Sequence, residues 1–142
     1  REGDIVMSMT AKEWLIRARK MSGRLRALQT SKEQAFARAT SVVVSGGEHV
    51  SGGEPADKHA AYAELSLSVD RQIEKLEQVR AEILQVIGQV EDNTLATLLT
   101  EYYVNDKTWE EVAAEQHYSW RWTMKLHSKA LQTVEVILEK RT

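Results

Sequence analysis

Apolar residues recur along this chain at helical spacing. Thr10 is followed three residues later by Glu13, a capping-box pair in which hydroxyl and carboxylate each satisfy an orphan backbone amide. Trp14, Ala18, Met21, Leu25 and Leu28 then follow at intervals of four, three, four and three, and Phe36 and Ala39 continue that face. The pattern predicts a long helix with one apolar side and a basic remainder built from Arg17, Arg19, Lys20, Arg24, Arg26 and Lys32. Paired glycines and the only proline, in "SGGEHVSGGEPADK" at 45–58, interrupt it and predict a Gly-rich surface loop at 45–56. A phosphate-cradling role for this loop is disfavoured. It lacks Gly-Lys-Ser/Thr, no strand precedes it, and Glu48 and Glu54 would repel an anion.

A second long helix is predicted from about Asp57 to Val90. Tyr62, Leu65, Val69, Ile73, Leu76, Val79, Ile83, Val86 or Ile87, and Val90 mark a seam near heptad spacing, and Glu64, Asp70, Glu74, Glu77 and Glu82 lie outside it. Residues 9–90 are therefore expected to form a long antiparallel helical hairpin, basic helix against acidic helix. Two single stripes bury little area. Either a homodimer through the long helices or the C-terminal helices would complete the packing.

The last third, residues 91–142, changes character. Asp92 or Asn93 caps a shorter helix whose inward side is Leu95, Leu98, Leu99, Tyr102 and Tyr103. "VNDK" is a turn. Thr108 and Glu111 form a second capping box, opening a two-turn helix with Trp109, Val112 and Ala113 on its apolar side. Ser119 then caps one further long helix, with Trp122, Leu126, Ala130, Val134 and Ile137 as its expected apolar side. Short helix, tight turn and longer helix match the helix-turn-helix plan. Ala113 sits at the crossing, Val112 anchors the first helix, and Tyr118 plugs the turn. Trp122 and Leu126, three and seven residues after the cap, point inward in this reading. Ser119, Trp120, Arg121, Met124, Lys125 and Ser128 then point outward, and Lys129 lies one turn past Lys125.

That outward set suits a DNA major groove. Arg can bond guanine bidentately, Lys reaches guanine or phosphate, and Ser bonds phosphate at a helix N-terminus. Trp120 has two readings: laid against sugar and base edges, or folded back onto the preceding helix or a subunit contact. The net charge of −2 does not argue for DNA, but its distribution does: residues 1–40 sum to +5, 41–93 to −6 and 94–142 to −1. Gln116 to Val134 holds Arg121, Lys125 and Lys129 and no acid, and a phosphate backbone meets such a local face rather than the average.

Composition narrows the remaining classes. There is no cysteine, which excludes disulfides and thiolate metal sites and fits a cytoplasmic setting. No apolar run approaches the roughly 18 residues of a membrane span, so no membrane partner is expected. Residues 1–8 read poorly as helix. They are expected to be a disordered lead-in or foreign to the native chain, which would begin at Met7 or Met9. Glu110 and Glu111 lie where a helix dipole favours negative charge. His49 and His59 flank the Gly-rich loop, and His117 and His127, on a turn and a helix, lack a carboxylate at ligand spacing. No enzyme activity, cofactor or metal is expected.

"TWEEVAAEQHYSWRWTMKLHSKALQTV", residues 108–134, resembles the C-terminal helix-turn-helix of phage transcriptional regulators of the RinA/ArpU type, which are similar to region four of bacterial sigma factors. "MTAKEWL" at 9–15 and "VEDNTLATLLTEYY" at 90–103 resemble the helical N-terminal part of such proteins. The resemblance implies a sequence-specific DNA-binding activator of late phage genes, working with RNA polymerase in the cytoplasm of a bacterial host cell. Trp109, Val112 and Ala113 match its first helix, Tyr118 and Ser119 its turn and cap, and Arg121, Lys125, Leu126, His127, Ala130 and Leu131 its second helix. Three positions depart. His117 stands where Gly is usual and must tolerate positive φ. Gln116 replaces a hydrophobic residue, and Thr123 stands where Val or Ile is common. The rival expectation is a helical adaptor or inhibitor that binds a host protein through its long helices, with no use for a basic recognition face.

Overall fold

The Thr10 hydroxyl accepts the Glu13 amide at 3.1 Å, and the Glu13 carboxylate accepts the Thr10 amide at 2.9 Å, so the first capping box forms as expected. The computed structural model describes residues 9–44 and 54–141, and every regular element among them is helical. In chain order they are α1 (Ala11–Leu15), α2 (Arg17–Val44), α3 (Glu54–Ile87), α4 (Asn93–Leu99), α5 (Trp109–Gln116) and α6 (Trp120–Arg141). α4 runs on into wider, π-helical turns over Thr100–Val104. Residues 1–8 and most of the expected loop, 45–53, lie outside the described residues. α3 starts earlier than expected and carries Pro55 in its first turn, where the missing amide proton costs no helical bond.

The chain forms two compact units, Arg1–Lys20 with Glu77–Thr142, and Met21–Leu76. In the second, the buried positions of α2 are Ser22, Ala35 and Ala39, while Phe36 is 53% exposed. The expectation that Phe36 lines the apolar face is therefore corrected: small alanines take the inner row, and Phe36 lies beside it. Its ring meets Tyr62 of α3 at 5.5 Å, and the Lys32 ammonium stands 5.8 Å over the same tyrosine. Val69 and Leu76 of the expected seam are buried.

In the first unit, α6 packs against α1, α4 and α5. The expected single helix from Thr10 onward is broken at Ile16, and Arg17 Nε donates to the Trp14 carbonyl beside the break at 2.9 Å. Arg17 also reaches Glu82 of α3 at 2.9 Å, one instance of the expected pairing between a basic and an acidic helix. Ile83, Val86, Ile87 and Val90 bury the end of the seam. Asp92 caps α4 by accepting the amides of Thr94 and Leu95 at 2.9 and 3.2 Å. The π-helical turns close on an Asn105 amide that donates to the Thr100 carbonyl, five residues back, at 2.9 Å. That widening sets Tyr103 fully inside while Tyr102 stacks on Trp109 at 3.9 Å. Arg19 ties the region to α2: it lies 4.1 Å over the Tyr102 ring and donates to the carbonyls of Tyr102 and Lys107, both at 2.9 Å. A guanidinium thus satisfies one carbonyl at the end of the π-helical turns and one in the loop before α5.

Candidate nucleic-acid interface

The Thr108 hydroxyl and the Glu111 carboxylate close the second capping box at 3.1 and 2.8 Å, fixing the start of α5. Lys107 lies just outside, bonded to Glu101 at 2.8 Å and Glu115 at 2.7 Å. Those two bonds raise the Lys107 ammonium above its ordinary range, while Lys107 and then Asn105 lower the Glu101 carboxyl. α5 ends on His117 at φ 60 and ψ 41, the left-handed conformation that the missing glycine demanded. The chain turns back there, with the His117 amide donating to the Ala114 carbonyl at 3.2 Å and the Tyr118 amide to Ala113 at 2.9 Å. Ser119 Oγ then accepts the Trp122 amide at 3.1 Å and opens α6.

One register of α6 is buried: Thr123, His127, Ala130 and Val134. This corrects the expectation that Trp122 and Leu126 point inward. Trp122 is 48% exposed and Leu126 is half-buried, so the inner row begins four residues after the cap, not three. The reason is that two polar side chains are satisfied inside. Thr123 Oγ1 donates to the Ser119 carbonyl at 2.9 Å, so its hydroxyl stays bonded when fully buried. His127 Nε2 pairs with the Tyr103 hydroxyl at 2.6 Å, and its ring lies 4.4 Å from Trp109. Burial, with the Lys12 charge adding to it, lowers the His127 pKa to about 4, so the ring is neutral near pH 7. Burial likewise pushes the Tyr103 hydroxyl up. Hydropathy undervalues both positions. The signal that could have found them was spacing, since Thr123, His127, Ala130 and Val134 recur at intervals of four, three and four.

Arg121, Lys125 and Ser128 are exposed and, by helical period, lie opposite the buried row. Ser119 and Lys129 are exposed as well, and Met124 is half-buried. Trp120 is 53% exposed on the first turn of α6, so the indole is presented to solvent. The structure therefore places Arg121, Lys125 and Ser128 on one strip, with Trp120 and Met124 on one flank and Trp122 and Lys129 on the other. Val112 and Ala113 are buried beneath α6 as the turn geometry required, and Tyr118 is half-buried.

Among the described residues no group of three His, Asp or Glu side chains could hold a metal ion, and no helix is long and apolar enough to cross a membrane. Compared with known proteins, the chain matches no family model, no curated protein and no solved structure at significance.

Proposed function

We propose that this chain is a sequence-specific DNA-binding transcriptional regulator of phage or prophage origin, of the RinA/ArpU type, with α5 and α6 as its helix-turn-helix. In this reading α6 enters the major groove. Arg121 reads guanine, Lys125 reads guanine or phosphate, Ser119 and Ser128 bond phosphate, Lys129 follows the backbone, and Trp120 and Met124 lie against base edges and thymine methyls. The regulator activates late genes together with bacterial RNA polymerase in the host cytoplasm. The observation that carries the proposal is the acid-free strip of Arg121, Lys125 and Ser128, opposite the buried row of a helix whose start is held by a left-handed turn and a serine cap.

The test is selection of bound sequences from random duplex DNA by the full chain, followed by affinity against salt. A specific site with a steep fall in affinity as salt rises supports the reading. Arg121→Ala with Lys125→Ala abolishes specific binding while helicity persists. A double variant that binds the selected site like wild type overturns the placement of α6.

The rival reading, an adaptor or inhibitor acting on a host protein, draws on the exposed Phe36 and Leu67 of the second unit. The same residues suit a homodimer through the long helices. A chain without specific DNA binding at low salt favours the adaptor, and sedimentation equilibrium decides the dimer.

A further inference from the structure

Trp122 does not join the core, and its position has a consequence for binding. Together with Lys125, Leu126 and Lys129 of α6, Tyr118 of the turn, and Asp92 and Thr94 at the start of α4, it lines an open cleft of about 550 Å³. We infer that this cleft seats one sugar-phosphate strand of DNA beside the groove that α6 reads, with Trp122 packed on the deoxyribose and Lys125 and Lys129 on successive phosphates. The inference rests on the proposed DNA reading and extends it from Lys125 and Lys129 to Trp122 and Thr94, which that reading does not use.

Lys125 and Lys129 stand one helical turn apart on the cleft's rim, about 6 Å of rise along α6. That matches an extended polyanion better than a single small anion. An exposed indole beside two ammonium groups offers an apolar wall for a sugar and charges for its flanking phosphates. The hydroxyl of Thr94, which also lines the cleft, can donate to a phosphate oxygen. Asp92 is the opposing charge. Its Oδ1 is held by the Thr94 and Leu95 amides at 2.9 and 3.2 Å, which draws the carboxylate into the helix start. The cleft continues the Arg121–Lys125–Ser128 strip, since Lys125 belongs to both.

Contacts to a sugar-phosphate strand strengthen binding to every sequence alike, whereas base contacts discriminate. The full chain is titrated with a duplex carrying the selected site and with a random duplex, both over a range of salt. Trp122→Ala with Lys129→Ala weakens both duplexes by about tenfold, lowers the salt slope by about one, and leaves the ratio of the two affinities unchanged. Asp92→Asn keeps the cap, because Asn serves as well as Asp there, and tightens both duplexes by about twofold. Wild-type affinities for both duplexes in the Trp122/Lys129 variant, with its helicity intact, overturn the inference together with the backbone role of Lys129, and leave the groove reading by Arg121 and Lys125 standing. A cleft serving an acidic protein segment gives that result. A wild-type chain that binds neither duplex overturns both.

Discussion

The Tyr103 hydroxyl and His127 Nε2 stand 2.6 Å apart inside the first unit and join the π-helical end of α4 to the centre of α6. The hydroxyl of a fully buried tyrosine and the imidazole of a nearly buried histidine each find their partner in the other. This pair holds α6 in the register that turns Arg121 and Lys125 outward. Tyr103→Phe is expected to cost about 1–3 kcal/mol, because a buried ring nitrogen loses its partner. Tyr103→Phe with His127→Leu should cost less than the two single changes added together, since neither polar group remains. Urea unfolding of the four proteins measures the coupling, and strict additivity would contradict the pairing.

Acid should destabilise the protein through the same histidine. Its pKa is lowered from 6.5 to about 4 by burial and then by the Lys12 charge. Below pH 6.5 the unfolded chain binds a proton that the folded chain refuses, so stability falls as the pH drops. The loss continues until about pH 4, where the folded state also protonates, and it totals on the order of 3 kcal/mol. His127→Leu removes this limb of the stability profile. Stability curves against pH for wild type and variant check the prediction, which fails if the two run parallel between pH 6.5 and 4.

His117 adopts φ 60, a conformation that costs a residue with a Cβ roughly 1–2 kcal/mol relative to glycine. His117→Gly should therefore raise stability by about 1 kcal/mol, and His117→Val should lower it further than any surface change nearby. Thermal melting gives both values. A His117→Gly protein less stable than wild type would mean that the imidazole makes a contact worth more than the strain.

Trp122 and Val134 should respond in opposite ways to their hydropathy. Val134→Ala removes fully buried methyl groups and is expected to cost about 1–3 kcal/mol. Trp122→Ala removes a much larger but 48% exposed side chain and should cost less than about 1 kcal/mol. Thr123→Val should be tolerated within about 1 kcal/mol, because the Ser119 carbonyl keeps the Thr123 backbone amide at 3.0 Å when the hydroxyl is gone. Denaturant midpoints rank the three. A Trp122→Ala loss larger than that of Val134→Ala would restore Trp122 to the core.

Local signals were legible along the chain. Thr10 with Glu13, Thr108 with Glu111, and Ser119 each form the cap expected of them, and of the two candidates Asp92 and Asn93 it is Asp92 that caps. A cap acts within three residues, so its chemistry is written in adjacent letters. The left-handed turn at His117 was expected from the resemblance, which has Gly there, and the all-helical class was legible because helical periodicity repeats many times over. Long seams average out local error, and the Ile83–Val90 end of one of them is buried as expected.

What the sequence determined by itself was the helical class and the caps that open the shorter helices, because a cap depends on neighbours a few residues away; the break at Ile16 and the π-helical turns after Leu99 were not among them. Which row of α6 faces inward was decided only by the tertiary structure. A tryptophan and a leucine outrank a threonine and a histidine on any hydrophobic scale, yet Thr123 and His127 are buried and Trp122 is not. Burial of a polar group costs little once it is bonded, and the partner of His127 is Tyr103, 24 residues away, brought there by the π-helical turns of α4. No pattern along α6 alone contains that partner. The fold supplies it, and by doing so sets which side chains α6 offers to DNA in the proposed function.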